Sequence, residues 1–117
     1  MKVGNKANSS IQPTEFELYQ VDGNQWGVAY NTDIEEHTVT EDEQIYTLYT
    51  YVVRRSTSTI TNYGELVSAL VHLVYSFDDE IALNRKGVLN PDDEEYLAYI
   101  LYVEICKEWA KTTIFTE

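Results

Sequence analysis

Ser68, His72 and Asp79 are the residues whose types first invite a catalytic reading, because serine, imidazole and carboxylate are the parts of a nucleophilic relay. Their spacing argues against it. At i and i+4 on a helix, Ser68 and His72 reach each other, but His72 and Asp79 stand about 10 Å apart along one straight helix axis. No Gly-x-Ser-x-Gly elbow is present either, so a solvated polar face is expected. Carboxylates concentrate in Asp78-Asp79-Glu80 and Asp92-Asp93-Glu94-Glu95, which raises metal binding or acid–base work. Consecutive helical residues point about 100° apart, so neither run converges on one ion. The alternating acids, central glycine and closing glutamate of a calcium loop are missing. Cys106 could pair with His37 or His72, yet it falls in an apolar stripe between Tyr102 and Trp109, the setting of a small buried residue. The glycines are scattered and form no phosphate-cradling pattern. No catalytic residue, metal ligand or cofactor is assigned, and the chain is not expected to be an enzyme.

Composition bounds the alternatives. The chain has 117 residues and a formal charge of -12, from 20 acids against 8 Lys and Arg. An apolar content of 44% excludes a disordered acidic tail and predicts one domain with a modest core. A single cysteine excludes an internal disulfide framework. The opening Met-Lys-Val-Gly-Asn-Lys has no apolar run behind it, so no signal peptide is expected. Only Arg54-Arg55 and Arg85-Lys86 place two cations side by side, which opposes direct nucleic-acid binding and contact with anionic membranes. The apolar-rich runs Leu66–Phe77 and Tyr96–Cys106 fall short of the roughly 18 residues a membrane span needs. A soluble protein is expected.

The elements that would position these residues follow from periodicity. Residues 1–13 are polar and turn-rich and read as a flexible N-terminal arm, ahead of a single domain over 14–117. Phe16 and Leu18 alternate with Tyr19 and Val21 in a first strand, closed by the turn residues Asp22-Gly23-Asn24. Trp26, Val28 and Tyr30 share one face of a second strand. The acidic stretch Asn31–Gln44 is expected to be an exposed loop with strand-like margins. Ile45–Arg55 carries apolar residues on both faces, the pattern of a central strand or one covered twice. These three strands predict an antiparallel meander over 14–56. The period then changes from two to 3.6, predicting a helical hairpin over 62–112. Its first helix is expected from near Tyr63 to Lys86, stopped by Gly87, with Phe77 and Ile81 on the inward stripe. Asn90 would cap the second, with Pro91 at its first position. The expected class is α+β: a three-stranded meander followed by a two-helix hairpin.

Two features point to a partner. Leu97, Ile100 and Leu101 lie toward the wet side of the second helix, so one helix–helix seam cannot bury every apolar residue. Ten tyrosines, among them Tyr49 and Tyr51, offer large apolar bodies with wet tips; they either line the core or face a partner. The candidate contact residues are Leu97, Ile100 and Leu101, with Tyr49 and Tyr51 if the helices cover only one face of the sheet.

Five stretches also carry a resemblance. Trp-Gly-Val-Ala-Tyr-Asn at 26–31, Tyr-Thr-Tyr-Val-Val-Arg-Arg at 49–55 and Tyr-Gly-Glu-Leu-Val-Ser-Ala-Leu-Val at 63–71 are three of them. Asp-Asp-Glu-Ile-Ala-Leu at 78–83 and Tyr-Val-Glu-Ile-Cys-Lys-Glu-Trp-Ala at 102–110 complete the set. Together they resemble small proteins of gut-bacterial phages and prophages. The helical tail, closing on a Trp-Ala pair, is loosely similar to the C-terminal segments of phage tail-fibre accessory proteins. The resemblance implies a virion structural or fibre-assembly role, with other virion proteins or a second copy as partners. It also implies residence in the virion after synthesis in the host cytoplasm, and it carries over no catalytic residue. The rival reading is an acidic DNA mimic that occupies a host nucleic-acid enzyme. Against it, the acids bunch in a loop and at helix starts rather than spacing out like phosphates.

Overall fold

Four antiparallel strands carry three helices on one face in the computed structural model, which describes residues 4–23 and 25–115. In chain order these are β1 Asn5–Ser9, β2 Phe16–Asp22, β3 Gln25–Glu41, β4 Gln44–Thr59, α1 Tyr63–Val71, α2 Phe77–Leu89 and α3 Glu94–Ala110. The spatial strand order is β1-β4-β3-β2. The class is α+β, sheet first and helices after; the count and lengths of the elements need correcting.

There are four strands rather than three. Asn5–Ser9, read above as part of a flexible arm, pairs antiparallel with Val53–Tyr49. The pairing covers part of β4's outer edge, which a three-stranded meander would leave bare. Residues 1–3 and Asn24, within the expected arm and turn, lie outside the described residues. The acidic stretch is not a loop. β3 runs to Glu41 and β4 starts at Gln44, in register from Glu35↔Thr50 to Glu41↔Gln44. The two-residue turn holds Asp42 and Glu43 at φ 50° and 66°. Positive φ at both positions matches the right-handed twist of the flanking strands. A bulge at Asp33, also at positive φ (54°), bends β3 as it leaves the body.

There are three helices rather than two. The expected helix from Tyr63 to Lys86 stops at His72, turns through Leu73, Val74 and Tyr75, and restarts at Phe77. Ser76 drives the restart. Its hydroxyl accepts from the Asp79 N–H at 3.1 Å, and Asp79 Oδ2 accepts from the Ser76 N–H at 3.0 Å. The break turns Leu73, Val74 and Tyr75 into the core and leaves Phe77 and Ile81 70% and 48% exposed. Gly87 does not end α2. It is buried where α3 crosses, and a Cβ there would stand 2.4 Å from the Tyr96 ring. Asn90 closes α2, and Asp93 rather than Asn90 caps α3, its side chain accepting from the Tyr96 N–H at 3.0 Å.

The core lies between the helices and one end of the sheet. Phe16 and Val28 meet Leu66, Leu70, Leu83, Tyr102 and Cys106, with Leu18, Trp26 and Tyr30 packed alongside. Aromatic pairs knit this layer: Phe16 stacks on Tyr30 at 4.9 Å, and Tyr30 meets Tyr102 at 5.2 Å. Tyr75 stands edge-on to Tyr99 at 5.1 Å. Such pairs contribute roughly 0.5–1.5 kcal/mol each beyond area burial. Tyr102 donates to the Leu70 carbonyl at 2.7 Å. Tyr30, Tyr75, Tyr99 and Tyr102 therefore serve the fold, as do Tyr63, packed on the core, and Tyr96, against Gly87. No described residue from 31 to 59 belongs to this core or packs against it. The distal β3–β4 hairpin projects instead, giving a radius of gyration of 16.9 Å and a long axis of 59 Å. A compact chain of this length would have a radius near about 13 Å.

Candidate functional site

The helix break assembles a polar chain that a continuous helix could not. His72 Nε2 lies 2.7 Å from Glu80 Oε2, and the Tyr99 hydroxyl donates to Glu80 Oε1 at 2.7 Å. Ser68 Oγ is 3.4 Å from His72 Nδ1, at the limit of a hydrogen bond. Glu80, not Asp79, thus completes a Ser–His–carboxylate series. Burial and then the carboxylate beside it push the Tyr99 hydroxyl up to about 12, so it stays a donor. Chemically the series is a latch. Ser68 sits inside α1, beyond its first four residues, where the helical ladder uses its N–H and those beside it, so its own turn offers no free amide to an oxyanion. Glu80 binds together the end of α1, the first turn of α2 and the middle of α3.

The other chemically suggestive groups are similarly occupied. Asp79 belongs to the capping box, whose backbone and hydroxyl donors from Ser76 hold its carboxyl below the usual range. Asp93 caps α3, and Glu95 pairs with Lys86 at 3.0 Å across the α2–α3 seam. Cys106 is fully buried, and desolvation pushes its thiol up to about 12. His37 bonds Thr50 at 2.8 Å on the projecting hairpin. Among the described residues, no three His, Cys, Asp or Glu side chains gather as a metal site. No helix among the described residues is long and apolar enough to cross a membrane.

What remains is surface. Leu97 and Leu101 are 48% and 62% exposed, with Ile100 and Ile105 at 36% and 39%. Leu97, Leu101 and Ile105 recur every four residues and make one stripe along α3. Beside it, a groove of about 330 Å³ opens between α2 and α3. Tyr75, Ala82, Leu83 and Ala98 supply its apolar wall, with Asp79 and the Lys86–Glu95 pair also lining it. Tyr49 and Tyr51 lie elsewhere. Along β4 the helix-facing side carries Arg54, over the Tyr30 ring at 6.0 Å, so alternation places Val53, Tyr51 and Tyr49 on the face without helices. The five candidate contact residues therefore fall on two separate surfaces, and the structure does not bring them together.

Sequence reasoning missed Ile105 on α3, and Phe77 and Val88 on the far side of α2, 70% and 84% exposed. The four-residue recurrence of Leu97, Leu101 and Ile105 was a visible signal. Phe77 was hidden by the expectation of one continuous helix. Comparison with known proteins adds no relative: no protein family, no curated protein and no solved structure matches the chain.

Proposed function

We propose that this chain is a non-catalytic assembly protein, a virion structural or tail-fibre accessory component that works by packing its apolar helical surface against another polypeptide. The observation that carries the reading is the α3 stripe of Leu97, Leu101 and Ile105, half-exposed beside an apolar groove on a chain whose core is complete without them. Exposed apolar side chains grouped along one helix face support an interaction site. The helix-free sheet face with Tyr49 and Tyr51 supplies a second contact on the other side of the sheet. The virion setting follows from the resemblance of the five stretches quoted above. Size-exclusion chromatography with light scattering, alone and with the proteins encoded beside it, tests the reading. A chain that stays monomeric and binds none of them overturns it.

A further inference from the structure

The projecting hairpin has an open edge. β2 follows β3 only as far as Phe16↔Tyr30, with one further bond from the Asn31 N–H to the Glu15 carbonyl at 2.7 Å. From Ile34 to Glu41 the outer edge of β3 has no strand partner among the described residues. Eight residues at about 3.4 Å each give roughly 27 Å of free backbone donors and acceptors. A two-stranded hairpin gains from a third strand, since two alone are marginal in water.

Charge selects what can fill that edge. Residues 31–53 hold six acids (Asp33, Glu35, Glu36, Glu41, Asp42 and Glu43) and no Lys or Arg, half of the net -12. A second copy added edge to edge would set six carboxylates against six, so these charges block self-pairing. They favour a strand of opposite sign. The edge is also not purely polar. Val39 is half-buried across from Tyr46, and Tyr46 and Ile45 at the tip are 43% and 74% exposed.

From this geometry we infer that the edge of β3 from Ile34 to Glu41 docks an extended, cationic polypeptide segment, which adds to the hairpin as a further strand. Main-chain bonds give such a strand its hold. Alternate lysines or arginines lie along the face that carries Glu35, Val39 and Glu41, their aliphatic stems beside Val39 and Tyr46. The intervening β-branched residues favour the extended strand on the face of Glu36. The inference rests on the protein–protein reading, at a surface separate from the helical layer.

The test uses the isotope-labelled full chain, NMR shift mapping and three capped peptides: Lys-Val-Lys-Thr-Lys-Val-Lys, its glutamate counterpart and heptalysine. The alternating cationic peptide is expected to shift residues 33–41 and their β4 partners. Its affinity should fall about tenfold in E35Q/E36Q/E41Q and stay unchanged in E104Q/E108Q. Heptalysine should bind more weakly. Absent binding, equal binding of the glutamate peptide or heptalysine, an unchanged triple variant, or equal shifts at 78–80 and 92–95 each overturn the inference. Leu97→Ser/Leu101→Ser must leave this binding intact, which separates its failure from failure of the helical-surface reading.

Discussion

Replacing Leu97 and Leu101 by serine separates an interface side chain from a core one. Full burial of a leucine is worth about 1.5–3 kcal/mol. The fold already hides about half of Leu97 and a third of Leu101, which are 48% and 62% exposed. A partner covering the remainder would gain about 1.7–3.3 kcal/mol from the pair, so the double variant should weaken association roughly 15- to 250-fold. The same change should barely touch folding, because surface substitutions usually stay within about 0.5 kcal/mol, or roughly 2 °C in Tm. Sedimentation equilibrium, alone and with each protein encoded beside this one, reads association; a thermal melt reads stability. The reasoning is refuted if the variant associates as the native chain does. It is equally refuted if Tm falls by many degrees, since the leucines would then be serving the fold.

The remaining predictions concern the elements that present this surface. Gly87→Ala should destabilise by about 0.5–2 kcal/mol in urea, because the clash with Tyr96 at 2.4 Å outweighs alanine's helix preference of about 1 kcal/mol; a more stable variant would sink the close-approach account. Ser76→Ala should cost about 0.5–2 kcal/mol and speed amide exchange in the first turn of α2 before that of α3. Cys106 and Tyr99 keep their protons in the fold up to about pH 12, above their unfolded values, so the stability they lend is full at neutral pH. It should fall as pH rises past about 9, by about 1.4 kcal/mol per pH unit for each group ionised only in the unfolded chain; a flat urea midpoint over that range would contradict their burial. The Cys106 thiol should resist alkylation until the chain unfolds, and reaction at the native rate of a free thiol would refute its packing.

Periodicity made most of the sheet and the helical region legible, and the departures have local causes. β1 reads as four polar residues around a single alanine, Asn-Lys-Ala-Asn-Ser, because its pairing comes from β4's edge rather than from any apolar pattern of its own. The hairpin tip escaped because Glu41-Asp42-Glu43-Gln44 contains no Asn-Gly or Gly, although Asp42 and Glu43 take the positive φ such residues usually supply. The break after His72 was written in Ser76 and Asp79, a capping-box spacing, but the apolar recurrence from Leu66 to Ile81 overrode it. That one error propagated: it kept Phe77 and Ile81 inside and held His72 apart from the acids at 78–80. Leu97 and Leu101 were legible for a simpler reason. Their angular position on α3 depends only on the helix period, not on where its neighbours break.

The charge pattern narrows what can cover α3. At about 100° per residue, Glu94, Glu104 and Glu108 fall on the same arc as Leu97, Leu101 and Ile105. A second copy laid along this stripe in either direction brings those glutamates toward each other. Lys107 and Lys111 form exposed pairs at 3.5 and 3.3 Å with Glu104 and Glu108, and such pairs are worth little. The projecting hairpin repeats the logic, with apolar side chains framed by carboxylates. A chain with a net charge of -12 can thus leave apolar surface bare and still repel its own copies. Within the proposed assembly role, acidic framing of apolar contacts on two separate surfaces weighs toward a locally cationic partner over self-assembly.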